Sequence, residues 1–406
     1  MELSIYLARQ PIYDLKGNIA AYELLYRNTE KNSTSVNNHM HATARVLVNA
    51  LNYIGLNNLT KGHIAFIKVD HTTILDDIIY SIAPSHFVLE ILESSVISSE
   101  LLKRIEYLHT KGYRFALNHF HDSPEFILQF QSLFDAIDYV KIDISETDGA
   151  DAIITKLKEH NLTFIAEKIE DETHYENSKK AGCELFQGYH LAKPILFKKE
   201  RVDPDSSLLI ELIYLLRTNA PLDELLEKFN KSPYLTITLL KFIHLHEGLK
   251  QDTLASIEQA LILIGRERLG NWLELMVYAY DKESEEEASF TKRLSEQAHQ
   301  RASLMEELAR RTKSSDRFAH AAYMTGLLSM AEAMFQNGYT DILKQIHVDK
   351  NIADALVKKN GELGQLLGLA IAVERNDIHT INAIIGQLYI SQNELNACIL
   401  ASYRRN

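Results

Sequence analysis

Cysteine is nearly missing from this chain. Cys183 and Cys398 are the only two in 406 residues, far apart, which excludes a disulfide framework and cysteine-based zinc spacing. Seven prolines and 16 glycines are too few for a linker protein or a Gly-rich repeat. Basic residues are in deficit. Lys plus Arg is 43 against 55 for Asp plus Glu, a net charge of -12, and there is no dense Lys/Arg run, so no nucleic-acid partner is expected. No uncharged apolar run approaches the ~20 residues of a membrane span; the stretch 208–216 is broken by Glu211. The opening residues carry Glu2 and Arg9, unlike a signal peptide. The expectation is a soluble, reduced, cytoplasmic protein without membrane contact.

What is present is an ordinary globular composition, 46% hydrophobic and 24% charged, with room for two or three domains. The two halves differ. Residues 4–8, 64–69, 86–91, 113–118, 136–142 and 162–167 are short β-rich runs. Amphipathic stretches lie between them, such as 100–109 with Leu101, Leu102, Ile105 and Leu108 at helical spacing. This alternation predicts α/β structure with parallel strands, closed into a TIM-like (β/α) barrel. The polar stretch 201–207, with Pro204, is the best boundary. Beyond it the apolar period is helical: Leu222, Leu225, Leu226 and Phe229 form one stripe, and Pro221 and Pro233 sit at helix starts. The domains are therefore expected at 1–200 and 208–406, joined by 201–207, the second all-α. The acidic segment 281–289 reads as an exposed loop.

In such a barrel, chemistry sits where strands end. Glu23, Glu90, Lys141, Asp143, Glu167, Glu170 and Gln187 fall at or just past predicted strand ends. Carboxylates converging on one mouth make an oxygen-ligand site for Mg²⁺ or Mn²⁺, and two such ions can activate water against a phosphodiester.

The set resembles the EAL-type cyclic-di-GMP phosphodiesterase domains over about 1–199. The residues that carry the resemblance are Glu23-Leu24-Leu25 with Arg27, Glu90-Ile91-Leu92-Glu93, Lys141-Ile142-Asp143, Ala166-Glu167-Lys168-Ile169-Glu170 and Gln187-Gly188-Tyr189. The resemblance implies metal ligation by Glu23, Glu90 and Glu167, positioning of the attacking water by Lys141, and a phosphate contact from Arg27. Glu170 and Gln187 also fall on family motif positions.

Departures stand beside these matches. Leu24 replaces the family's Ala. Lys68 stands where an Asn ligand is expected, and Asn118-His119-Phe120-His121 stands where the family has Asp-Asp-Phe-Gly. Two negative charges are removed and one positive charge is added, and like charges at close range in a partly dry pocket are worth several kcal/mol. The expectation is accordingly a degenerate site: Glu23, Glu90 and Glu167 vestigial as ligands, Lys141, Glu170 and Gln187 vestigial in catalysis, and no cofactor. Lys68 either pairs with Glu23, Glu90 or Glu167 as an internal cation or extends into solvent. His119 with Glu90 or Glu167 is an alternative transition-metal site.

The second half has no His-Asp dipeptide, so it lacks the metal dyad of HD hydrolases; His244 and His246 read as a helix end. Stretches 232–241, 257–269 and 322–331 resemble HDOD domains, so the whole chain resembles the tandem EAL–HDOD class of bacterial signalling proteins. The resemblance implies a catalytically inactive regulator in cyclic-di-GMP-linked control of motility or biofilm. Other signalling proteins bound through the helical domain, a second copy of the chain, and cyclic-di-GMP are its candidate partners. The alternatives are a cyclic-di-GMP receptor without turnover, or a phosphodiesterase using Mg²⁺ or Mn²⁺ with an unusual ligand set.

Overall fold

A computed structural model describes residues 4–27, 39–121, 123–145, 150–200, 206–247, 254–280, 285–312, 315–335, 338–344, 346 and 348–403. The expected junction therefore lies largely outside the described residues. The chain divides into two compact units, Ser4–Lys199 with Glu274–Ala279, and Glu200–Leu273 with Tyr280–Asn406.

The first unit is a closed eight-strand barrel. Its strands are β1 (Ser4–Asp14), β2 (Ile19–Arg27), β3 (Ile64–Val69), β4 (Phe87–Ile91), β5 (Arg114–Phe120), β6 (Tyr139–Asp143), β7 (Thr163–Glu167) and β8 (Leu185–Phe186). They follow one another around the ring, and β9 (Ile195–Glu200) lies outside β1. From β2 to β8 neighbours are parallel, but β1 runs antiparallel to both β2 and β8. This departs from the all-parallel expectation. Only a short turn at Leu15–Asn18 joins β1 to β2, too short for a crossover, so the pair folds as a hairpin.

Local chemistry starts the outer helices. Asp70 caps α3 (His71–Leu75) by accepting from Thr73 N at 2.9 Å. Taking α1 (His39–Val48) and α2 (Leu56–Thr60) as the first two, α4 (Ser99–Thr110) and α5 (Pro124–Phe130) are capped by Ser98 and Ser123. After α6 (Ala150–Leu157), α7 (Glu172–Ala181) is capped by Asp171 and stopped by Gly182 at φ 108°.

Inside the barrel, Ile12, Ala21, Phe66, Val88, Ala116 and Ile165 pack as one apolar layer, flanked by Ile64, Tyr139 and Leu185. Phe66 and Tyr139 meet edge to face at 5.3 Å. Truncating Phe66 to Ala would cost about 3–5 kcal/mol. This layer is the floor on which the site stands.

The second unit is helical throughout its described secondary structure, apart from one isolated bridge. Pro221 and Pro233 do stand at helix starts, and His244 and His246 fall in the last turn of Pro233–Glu247. The helices Glu285–Thr312 and Asp316–Leu328 approach so closely that a Cβ at Gly326 would lie 2.6 Å from Ala302 Cα. The acidic segment is not a loop along its whole length. Glu285 opens a 28-residue helix; 281–284 lie outside the described residues.

Candidate active site

Side chains on a strand alternate between faces, so the residue two beyond each floor residue also points inward. That step replaces apolar with polar all round the ring: Ala21 leads to Glu23, Phe66 to Lys68, Val88 to Glu90, Ala116 to Asn118, Tyr139 to Lys141 and then Asp143, Ile165 to Glu167, and Leu185 to Gln187. On antiparallel β1 the step runs backwards, from Ile12 to Gln10. Backbone register places Lys68 beside Glu90, Asp143 beside Glu167, and Gln10 beside Glu23.

On one side of this mouth the chain supplies its own cations. Lys141 is wholly buried, and its Nζ donates to Glu23 Oε2 at 3.0 Å and Glu90 Oε1 at 2.9 Å, with Glu167 Oε2 at 3.4 Å. The Lys68 Nζ lies 3.0 Å from Glu23 Oε1, with 36% of the side chain exposed. Burial opposes both ammonium charges, but the carboxylates, Glu23 foremost, outweigh it and raise both lysine pKa values. For Glu23 burial is likewise overcome, by Lys141 and Lys68, and its carboxyl is held far below the usual range. Glu90 goes the other way. Burial first, then repulsion from Glu23, push it up to about 7 against the pull of the two lysines.

The other side is built differently. His119 Nδ1 contacts Glu167 Oε1 and lies 4.0 Å from Asp143 Oδ2. One ligating atom each from His119, Asp143 and Glu167 fall within 4.8 Å of one another. Asp143 is paired with Lys168 and accepts from Ser145 N at 3.0 Å. Against the cost of burial, Lys168 and Ser145 keep Asp143 below its ordinary value, and Lys141 with His119 do so for Glu167. His119 is raised, burial being outweighed by its bond to Glu167. Both His119 (φ 47°) and Lys168 (φ 59°) adopt left-handed backbone, uncommon for residues with a Cβ and characteristic of functional sites. Asn118 is 1% exposed, and neither amide atom has a hydrogen-bond partner.

Gln187 closes the ring, donating to Glu23 Oε2 at 2.5 Å and to Gln10 Oε1 at 3.1 Å. Its backbone position depends on Gly188, because a Cβ there would lie 2.1 Å from Ile169 O. The mouth opens into a cavity of about 950 Å³ lined by residues that include Arg27, Lys68, Asn118, Glu167, Glu170 and Tyr189, a volume suited to a ligand of nucleotide size or larger.

The family model for the EAL domain matches residues 3–194. This chain carries an EAL domain. Over 391 residues it is 27% identical to the uncharacterized protein YuxH of Bacillus subtilis, covering 95% of this chain and 94% of that one. Over 380 residues it is 26% identical to the cyclic di-GMP phosphodiesterase CdgJ of Vibrio cholerae, covering 92% and 85%. Among solved structures, the EAL domain of Mycobacterium smegmatis DcpA is 22% identical, with a TM-score of 0.39, over 48% of this chain and 93% of that one.

These matches correct the expectation of a pseudo-enzyme. A relative named as a phosphodiesterase aligns with nearly the whole chain, EAL domain included.

The EAL domain brings Glu23, Glu90, Lys141, Glu167 and Gln187 into one buried cluster, with Lys68, Asn118 and His119 at its edge. Arg27, half-buried, and Glu170, exposed, line the cavity without joining the cluster. Of the two alternatives for Lys68, the structure has the pairing, with Glu23. The sequence reading counted Asp143 among the strand-end carboxylates without singling it out as a ligand, and assigned no role to Lys168 or Gln10. For Asp143 a signal existed, since it lies two residues after Lys141 and hence on the same strand face.

Proposed function

We propose that this chain is a metal-dependent phosphodiesterase directed at cyclic-di-GMP, working at the EAL barrel mouth with an unusual ligand set. The observation that carries this reading is the His119, Asp143 and Glu167 cluster at the ends of three adjacent strands, beside the buried Lys141. One imidazole and two carboxylates suit a single divalent cation, and the unpartnered amide of Asn118 faces the same cavity. A divalent cation bound there would polarise a phosphate oxygen and lower the pKa of a water.

The chain's own groups do the rest. Arg27, with its planar fork of donors, meets a phosphate at the cavity edge. Lys141, fixed by three carboxylates, holds a positive charge under the reacting phosphate. Glu90 exchanges its proton near neutrality, unlike its low-pKa neighbours. In the reaction the water oxygen bonds to phosphorus as one P–O ester bond breaks. A proton passes from the water to the departing sugar oxygen, and the ring opens to a linear dinucleotide.

The test is incubation of purified full-length protein with cyclic-di-GMP and Mn²⁺ or Mg²⁺, with chromatographic detection of the linear product. Product that disappears in Glu167→Gln supports the reading. Nucleotide binding without product, or product unaffected by Glu167→Gln, overturns it.

The helical unit is read as an HDOD-type domain that meets other signalling proteins or a second copy of the chain. Its support is the helix Ile378–Leu388, which is apolar yet buries none of its residues fully, followed by the exposed Tyr389.

A further inference from the structure

The two sides of the barrel mouth answer the same need in different ways, and from this we infer that Lys68 is a built-in cation, so that the EAL domain takes one divalent ion per chain, held by His119, Asp143 and Glu167. The inference rests on the reading of the mouth as a cation-dependent site and specifies how many ions it holds and of which kind.

The first support is occupancy. Both oxygens of Glu23 are engaged by ammonium groups, Oε1 by Lys68 and Oε2 by Lys141, each at 3.0 Å. Glu90 gives Oε1 to Lys141 at 2.9 Å. A dication entering on Glu23 would displace one ammonium and lie against both positive charges in a site largely shut from water. On this side the negative charge is already balanced.

The second support is the donor set left over. His119, Asp143 and Glu167 present ligating atoms within 4.8 Å. Besides one another, Glu167 meets Lys141 at 3.4 Å, and Asp143 meets Ser145 and Lys168, whose side chain is 44% exposed. The left-handed backbone of both His119 and Lys168 turns these two residues at the mouth. Asn118, adjacent in sequence and buried, aims an amide with no partner into the same cavity.

The third support is chemical type. An imidazole nitrogen with two carboxylates favours transition ions such as Mn²⁺ or Zn²⁺, whereas Mg²⁺ prefers oxygen ligands throughout.

The measurement is metal content. Full-length protein, stripped with chelator, is equilibrated with Mn²⁺ alone and analysed by calorimetric titration and by elemental analysis of the dialysed protein. One ion per chain is expected, bound at least tenfold more tightly than Mg²⁺. His119→Ala should weaken binding at least tenfold, and Lys68→Asn should raise the stoichiometry to two. Two ions on the unaltered chain, or one ion indifferent to His119→Ala, would overturn the inference. If Lys68→Asn fails to fold, the unaltered chain still decides by electron paramagnetic resonance: an isolated Mn²⁺ spectrum supports one ion, a spin-coupled pair refutes it. One ion without cleavage of cyclic-di-GMP would remove the proposed activity and leave this inference standing; two ions with cleavage would do the opposite.

Discussion

The Lys141 side and the His119 side of one barrel mouth are made of similar carboxylates, yet they solve the problem of buried negative charge differently. Around Glu23 and Glu90 the counter-charges are covalent parts of the chain, fixed by strand register on β3 and β6. Around Asp143 and Glu167 the partners at the rim are an imidazole and a half-exposed lysine, with Lys141 reaching Glu167 at 3.4 Å. A charge carried on a core strand is fixed with the fold, whereas an imidazole at the rim offers a nitrogen to a metal. The difference teaches where to look for structure and where for chemistry.

The largest effect should come from the first side. Lys141→Met leaves Glu23, Glu90 and Glu167 buried without their common partner, and breaking a buried ion pair this way costs about 3–5 kcal/mol. Denaturant unfolding would show it, and a loss below about 1 kcal/mol would mean that the cluster is not the internal ion network described here.

The second side should respond to added metal instead. At roughly a hundred times its dissociation constant, Mn²⁺ should stabilise the protein by about 2.7 kcal/mol, a rise of roughly 5 °C in Tm. The rise should vanish in His119→Ala. An equal rise in both proteins would place the ion elsewhere.

Glu90 gives the comparison a pH signature. Its folded pKa, about 7, lies above the ordinary carboxyl value of 4.5, so the folded state binds the proton more tightly. The stabilisation from that proton is complete below the unfolded value and is lost as pH rises through about 7, by ~1–3 kcal/mol. Glu90→Gln should flatten stability between pH 5 and 8 in thermal melts, and a slope unchanged in that variant would rule Glu90 out as its source.

The smallest effect should be that of Lys68→Met on folding. Its side chain is a third exposed and Glu23 keeps Lys141, so the loss should be about 1 kcal/mol or less. A loss as large as that of Lys141→Met would erase the distinction between the two lysines.

Much of the barrel was legible in the sequence. The run at 64–69 coincides with β3, and 162–167 contains β7, because short apolar runs closed by polar residues leave little choice of element. The direction of β1 was not legible, since parallel and antiparallel strands share one alternation and only the chain connection decides. In the site, the motif spacing located Glu23, Glu90, Lys141 and Glu167, but not their mutual hydrogen bonds, which depend on strands distant in sequence. The left-handed turn at Lys168 carries no residue signal, and that at His119 only histidine's general tolerance of such backbone. They are set by the surrounding packing. The helix start at Glu285 was hidden by a run of acidic residues that reads equally as a loop.

The antiparallel first strand has a practical consequence. Because Tyr6 pairs with Arg27 at the end of β2, the start of β1 stands at the same rim where the seven parallel strands finish. A fluorescent reporter fused ahead of Ser4 would therefore emerge beside the open end of the cavity, where it can register occupancy directly, while the closed apolar floor and the opposite rim would be left undisturbed.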